Sequence, residues 1–182
     1  MHGIVDTIEF RPVRIAVLTV SDTRGPENDT SGDVLERRLK DAGHVLADRA
    51  LLADDREAIA AQVTAWADDP GVDVVITTGG TGLTGRDVTV EAIRPLFSKE
   101  IHGFSVIFHQ VSYRSVGLST LQSRACAGIV RAQDGQGATF VFCLPGSTGA
   151  CKDGWDEVIA AQLDSRHRPC NLVDIIPRLT ER

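Results

Sequence analysis

The run Val74-Val-Ile-Thr-Thr78, followed at once by Gly79-Gly80-Thr81-Gly82-Leu-Thr-Gly85-Arg86-Asp87-Val-Thr89, decides how this chain is read. Five β-branched residues in a row suit a strand covered on both faces. The crowd of glycines behind it would weaken any regular element, because each one costs backbone entropy on folding. Bare backbone at a strand end serves one recurrent purpose: successive N–H groups turn toward an oxyanion. Thr77, Thr78 and Thr81 offer hydroxyls, and Arg86 offers a cation. Asp87 is expected either to cap a helix starting at Val88 or to face the loop and hold a divalent ion that offsets phosphate charge.

Two familiar phosphate motifs fit this stretch poorly. Gly80-Thr-Gly-Leu-Thr-Gly85 satisfies G-x-G-x-x-G, yet it follows the third strand rather than the first, which weakens a dinucleotide-dependent oxidoreductase reading. A P-loop would need Lys at Arg86 and a hydroxyl at Asp87, where a carboxylate would meet phosphate.

Outward from the loop, strands and helices alternate. Arg14–Val20 reads as a buried strand, and Thr30-Ser31-Gly32-Asp33 as a capping box opening a helix with Val34, Leu35, Leu39 and Ala42 inward, stopped at Gly43. A strand over Val45–Leu52 precedes a helix over Asp55–Ala67 carrying Ile59, Gln62/Val63 and Trp66 at helical spacing. Val72–Thr78 is the third strand. A helix from Val88 to Phe97 follows, then another over His102–Tyr113 with Phe104, Ile107, Phe108 and Val111 on one side. Ala127–Leu144 reads as an antiparallel hairpin turning at Gln133–Gly137. Pro145-Gly-Ser-Thr-Gly149 then leads into a helix with Trp155, Ile159 and Leu163. The pattern implies a three-layer α/β/α sandwich with a mostly parallel, mixed sheet. Ligands then lie outside the carboxyl ends of the strands, where Ser21-Asp22-Thr23, Gly79–Asp87 and Pro145–Gly149 converge.

At 182 residues the chain fits one domain, 1–182, with a short flexible N-terminal stretch of about twelve residues. A net charge of −6 lacks the basic footprint of nucleic-acid binding. No apolar run approaches the roughly 20 residues that span a bilayer, and no secretory signal is legible at the N-terminus. The four cysteines, Cys126, Cys143, Cys151 and Cys170, form no C-x-x-C pair, so free thiols in the cytoplasm are expected. His2, His44, His102, His109 and His167 are scattered without metal-ligand spacing.

Thr77-Thr-Gly-Gly-Thr-Gly82 and Asp87-Val-Thr89 together resemble the signature of the MoaB/Mog molybdopterin-binding family. The similarity extends to Ile15–Ser21, Thr30-Ser-Gly32, Glu100-Ile-His-Gly-Phe104, Leu121-Gln-Ser-Arg124, Leu144-Pro-Gly-Ser147 and Arg168-Pro-Cys-Asn171, the last favouring the MoaB branch. The resemblance implies adenylylation of molybdopterin: its terminal phosphate attacks the α-phosphate of ATP and pyrophosphate leaves, with Mg²⁺ assisting. The alternative it leaves open is a non-catalytic molybdopterin-binding carrier. It implies a homo-oligomer, a trimer or a hexameric dimer of trimers. It also implies Asp54 and Asp87 as catalytic and Mg²⁺-binding carboxylates. Substrate contacts would come from Thr78, Gly79, Gly80, Thr81, Gly82, Ser123, Arg124, Pro145, Gly146 and Ser147. Asp55 competes with Asp54 for its role, and Glu100 either lines the site or ties down a loop.

Overall fold

The computed structural model describes residues 3–181. In chain order the strands are β1 (Gly3–Ile4), β2 (Arg14–Val20), β3 (Val45–Leu52), β4 (Val74–Thr78), β5 (Phe97–Glu100), β6 (Cys126–Arg131), β7 (Ala138–Leu144) and β8 (His167–Arg168). The α-helices are α1 (Thr30–Asp41), α2 (Arg56–Asp68), α3 (Thr89–Ile93), α4 (His102–Val116), α5 (Thr148–Gly154) and α6 (Ala160–Leu163), the last two joined by a π-helical turn, Trp155–Ile159.

Six strands form one sheet in the order β3-β2-β4-β7-β6-β5; β3, β2, β4 and β7 run parallel, while β6 is antiparallel to both neighbours. Alternation along the buried strands feeds two separate cores. Ile15, Val17, Val74, Ile76, Phe140, Phe142 and Leu144 pack under α1, α4, α5 and α6. Ala16, Leu18, Val75, Val141 and Cys143 pack under α2 and α3. Burial of each large apolar side chain contributes about 1.5–3 kcal/mol, so both helical layers are anchored to one sheet. This is the expected α/β/α sandwich.

Several local expectations are corrected. Asp29, not the Thr30 box, caps α1: its carboxylate accepts from the Gly32 N–H at 3.0 Å. Ala42 is exposed while Val34, Leu35 and Leu39 are buried. The helix foreseen to Phe97 is only Thr89–Ile93 plus a 3-10 turn, because Pro95 stops it and Phe97–Glu100 pairs with β6 as an edge strand. Helix α4 buries Phe104, Phe108 and Val111 but leaves Ile107 46% exposed. The expected hairpin is β6–β7, turning through Gly135 at φ 71°. Of the N-terminal stretch, Met1 and His2 lie outside the described residues; Gly3–Ile4 pairs with His167–Arg168. Among the described residues no helix is long and apolar enough to cross a membrane.

Because β2 is followed by β3 on one side and flanked by β4 on the other, the chain reverses direction across the sheet between β2 and β4. The carboxyl ends of those two strands open a crevice there.

Candidate functional site

Gly79 follows β4 directly and takes φ 100°, open to glycine but not to L side chains. A Cβ at Gly79 would land on the carbonyl oxygen of Val20, the last residue of β2. One at Gly80 would stand 2.6 Å from Asp54 Oδ1. Bare backbone at these two positions lets β4 turn tightly against β2 and admits the Asp54 carboxylate.

The loop's carbonyls are tied from behind. Thr89 donates from N to Gly80 O and from Oγ1 to Gly79 O, both at 2.9 Å. Arg124 donates from N to Thr81 O at 3.0 Å and from its guanidinium to Thr81 O, Gly82 O and Asp87 O, at 3.1–3.2 Å, while ion-pairing with Glu91. Of the amides, Gly79 N–H donates to Leu144 O at 3.1 Å, and Gly82 N–H to the Asp87 carboxylate. Among the described residues Gly80 and Thr81 N–H have no acceptor in the chain. The expected four-residue cradle therefore narrows to two free amides. Nor does a helix dipole reinforce them: α3 is five residues long, and its first N–H is already bonded to Gly80 O.

Asp87 does not cap α3, whose N-cap is Val88 without a side-chain bond. Its carboxylate instead accepts from Thr84 Oγ1 at 2.6 Å and Thr84 N at 2.8 Å. The Thr84 hydroxyl, with the Thr84 and Gly82 amides, holds its carboxyl below the ordinary range. Asp54 and Asp55 divide their duties. Asp55 caps α2, accepting from Glu57 and Ala58 N–H at 2.9 Å. Asp54 is left to the cavity, its own N–H held at 3.0 Å by Asp22 Oδ1. Burial pushes the Asp54 carboxyl up, and repulsion from Asp22 and Asp87 adds to it.

A second loop closes the cavity from β7. Thr78 Oγ1 donates to Pro145 O at 3.0 Å, and Ser147 Oγ accepts from Ala150 N at 3.1 Å as the cap of α5. Arg24 and Ser31 each donate to Gly146 O at 3.0 Å. A Cβ at Gly146 would sit 2.9 Å from Gly79 Cα, so the two loops touch backbone to backbone. Ser21 Oγ accepts from the amides of Thr23 and Arg24, which orients the turn after β2.

Together these loops line a cavity of about 700 Å³, in the range of cofactor sites. Of the expected residues, Asp54, Asp87, Gly79, Gly80, Thr81, Gly82, Ser123, Pro145, Gly146 and Ser147 line it. Thr78 and Arg124 do not: one clamps the Pro145 loop, the other braces the glycine loop. Glu100 ties down Arg94 at 2.5 Å, away from the cavity. Missed entirely were Ser112, Ser115, Ser119 and Thr120, which line its other end. Their spacing along α4 and the following 3-10 turn was a readable signal.

Among the described residues no trio of His, Cys, Asp or Glu is placed to hold a metal alone. Mg²⁺ rarely needs such a cage, since it takes one or two carboxylates plus substrate phosphates. Repulsion of Asp54 by Asp22 and Asp87 outweighs the pull of Arg86, and a cation beside Asp54 and Asp87 would remove it, so the donor set fits such an ion.

A family profile described as "probable molybdopterin binding domain" matches residues 16–165. The chain is 50% identical over 163 residues to molybdenum cofactor biosynthesis protein B of Escherichia coli (strain K12), covering 90% of this chain and 92% of that protein. A crystal structure of a molybdenum cofactor biosynthesis protein B superposes with a TM-score of 0.77 at 41% identity, over 84% of this chain and 92% of the other. The tungsten cofactor synthesizing protein MoaB from Pyrococcus furiosus gives 0.71 at 39% identity, over 81% and 91%.

Proposed function

Because the chain belongs to this molybdopterin-binding family and serves molybdenum cofactor biosynthesis, we propose that its large cavity binds molybdopterin and ATP together and joins them by adenylyl transfer. The terminal phosphate oxygen of molybdopterin attacks the α-phosphorus of ATP; the bond to the β-phosphate breaks, and pyrophosphate leaves as adenylyl-molybdopterin forms. The observation that carries this reading is the pair of free amides, Gly80 and Thr81, flanked by Asp54 and Asp87 in one cavity.

The roles divide by chemistry. The two amides donate to a phosphate oxygen without adding a mobile charge. Asp54 and Asp87 would hold Mg²⁺, which supplies charge neutralisation between two phosphate esters that otherwise repel. Thr84 keeps Asp87 ionised, ready for the ion. Gly79, Gly82 and the Pro145-Gly146-Ser147 loop shape the wall beside the pterin, with Ser123 across from it. Thr78 and Arg124 act at one remove, by fixing the loops that touch substrate.

Self-association is part of the reading. Tyr113, Val116, Leu118 and Leu121, at the end of α4 and in the following turn, are 53–72% exposed. That apolar face suits a neighbouring copy in a trimer or a dimer of trimers. The buried Cys126, Cys143 and Cys151 are free thiols, in keeping with a cytoplasmic setting.

The test is pyrophosphate release from ATP with molybdopterin and Mg²⁺. Wild-type protein should release it, and Asp87→Ala should lose at least a hundredfold of the rate. Saturable molybdopterin binding with no release above that control would leave a carrier instead.

A further inference from the structure

Two thiols lie outside the strand-end cavity and play no part in adenylyl transfer. Cys126 opens β6, Cys143 stands near the end of β7, and the antiparallel register sets them directly opposite one another. Residues so paired project from the same face of a sheet, and both belong to the core under α2 and α3. Opposed residues have Cα atoms about 4.5–5.5 Å apart, inside the roughly 4.4–6.8 Å that a disulfide spans. The backbone already has the spacing such a bond requires. Cys151 lies in the other core, against Thr78 and the Pro145 carbonyl, where burial pushes its thiol up to about 11. Cys170 is exposed beyond β8.

The two paired thiols differ in character. Cys143 is fully buried in mid-sheet, and its contact with Cys126 together with burial lifts its thiol well above the ordinary value. Cys126 reaches a separate cavity of about 530 Å³ between α3 and α4, which Arg94, His109 and Arg124 also line. It is 2% exposed, so that wall admits only a small reagent. The neighbouring Cys143 thiol, with the guanidiniums of Arg94 and Arg124, holds the Cys126 thiol below its ordinary value, outweighing burial and Glu100. Both guanidiniums are fixed in place, Arg94 by Glu100 and Arg124 by Glu91 and the glycine loop.

A thiol in a cationic niche ionises and attacks readily, whereas one in apolar surroundings keeps its proton. Set side by side, the first can be oxidised and the second can resolve it. We infer that Cys126 and Cys143 form a reversible oxidation site for hydrogen peroxide, with Cys126 attacking and Cys143 resolving. The Cys126 sulfur, having released its proton, attacks one peroxide oxygen. The O–O bond breaks, the departing hydroxide takes up that proton as water, and a sulfenic acid remains. The Cys143 sulfur then displaces the hydroxyl from Cys126: the S–S bond forms, the S–O bond breaks, and the hydroxyl leaves with the Cys143 proton as a second water. Each sulfur gives up one electron, and peroxide receives both. A dithiol reductant reverses the change by thiol–disulfide exchange.

The test uses the full chain, reduced, freed of reductant and exposed to hydrogen peroxide. It is then denatured in N-ethylmaleimide and mapped by peptide mass spectrometry. Before peroxide, Cys126, Cys143, Cys151 and Cys170 should all be alkylated. Afterwards Cys126 and Cys143 should appear in one cross-linked peptide while Cys151 is still alkylated, and dithiothreitol should restore both thiols. The exposed Cys170 reports how far the reagent has acted. Cys143→Ala should stop at the sulfenic acid, with dimedone trapped on Cys126 in roughly tenfold excess over Cys151. Cys126→Ala should leave Cys143 unoxidised. A buried thiol packs as a small hydrophobe, so both variants should fold, which circular dichroism checks. Cys126 and Cys143 both still alkylated in wild-type protein after Cys170 has been oxidised would overturn the assignment, and that result needs no variant. Oxidation of Cys143 in Cys126→Ala, or cross-links that form only through Cys170, would overturn it as well.

Discussion

Replacing three loop glycines by alanine, one at a time, separates the cost of folding this loop from the cost of using it. At Gly79 the new methyl meets the Val20 carbonyl oxygen, a backbone atom held in β2, and the φ of 100° is itself hostile to alanine. The conformation costs about 1–2 kcal/mol and the overpacking another 1–3, so Gly79→Ala should lose roughly 2–5 kcal/mol. Against a typical total of about 5–15 kcal/mol, that is a large fraction. At Gly85 nothing lies within 4 Å, so Gly85→Ala should fall within about 0.5 kcal/mol of wild type. Gly82 is the informative middle: its methyl would stand 2.8 Å from Asp87 Oδ2, the end of a side chain that can swing aside. Gly82→Ala should therefore unfold within about 1 kcal/mol of wild type while losing Mg·ATP affinity. Urea denaturation at constant m-value reads the first quantity, and a nucleotide titration the second. Gly79→Ala as stable as Gly85→Ala would refute the claim that close strand approach demands the bare backbone.

Three further outcomes follow from the same geometry. Asp54→Asn should raise the melting temperature of the metal-free protein at neutral pH. The raised Asp54 carboxyl favours folding below the ordinary carboxylate range and loses that contribution as pH rises through its folded value, so the gain should vanish in acid; a gain that persists there would contradict the assignment. Asp29, with a side chain 2% exposed, is pushed up by burial but pulled down further by Arg49, Thr19 and the Gly32 N–H. Asp29→Ala should cost roughly 3–5 kcal/mol near neutrality, and the deficit should shrink as pH falls through the depressed wild-type value, measured by denaturation across pH. Arg124→Ala should cost about 1–3 kcal/mol, and Arg124→Lys should not restore nucleotide binding, because one ammonium cannot reach three loop carbonyls and Glu91 at once.

The sheet was legible because three of its four parallel strands, β2, β4 and β7, are nearly continuous buried runs, and the glycine loop because glycines so placed have few other uses. What sequence missed was decided at longer range. Asp54 and Asp55 are chemically identical neighbours, and only the approach of Asp22 and Gly80 shows which one faces the cavity. Arg124 looked like a phosphate ligand because its partners are backbone carbonyls some forty residues away, which no spacing rule reports. Phe97–Glu100 is too short and too polar to announce a strand; pairing with β6 makes it one. The hydroxyls of α4 were overlooked because serines on a helix are ordinarily solvent-facing.

Where Gly146 rests on Gly79, two loops from adjacent strands become a single stiff wall. A guest entering on either side finds its surface already in shape, so little disorder has to be frozen out on arrival. The same rigidity makes the wall unforgiving: a bulkier residue on one side displaces what the other side holds.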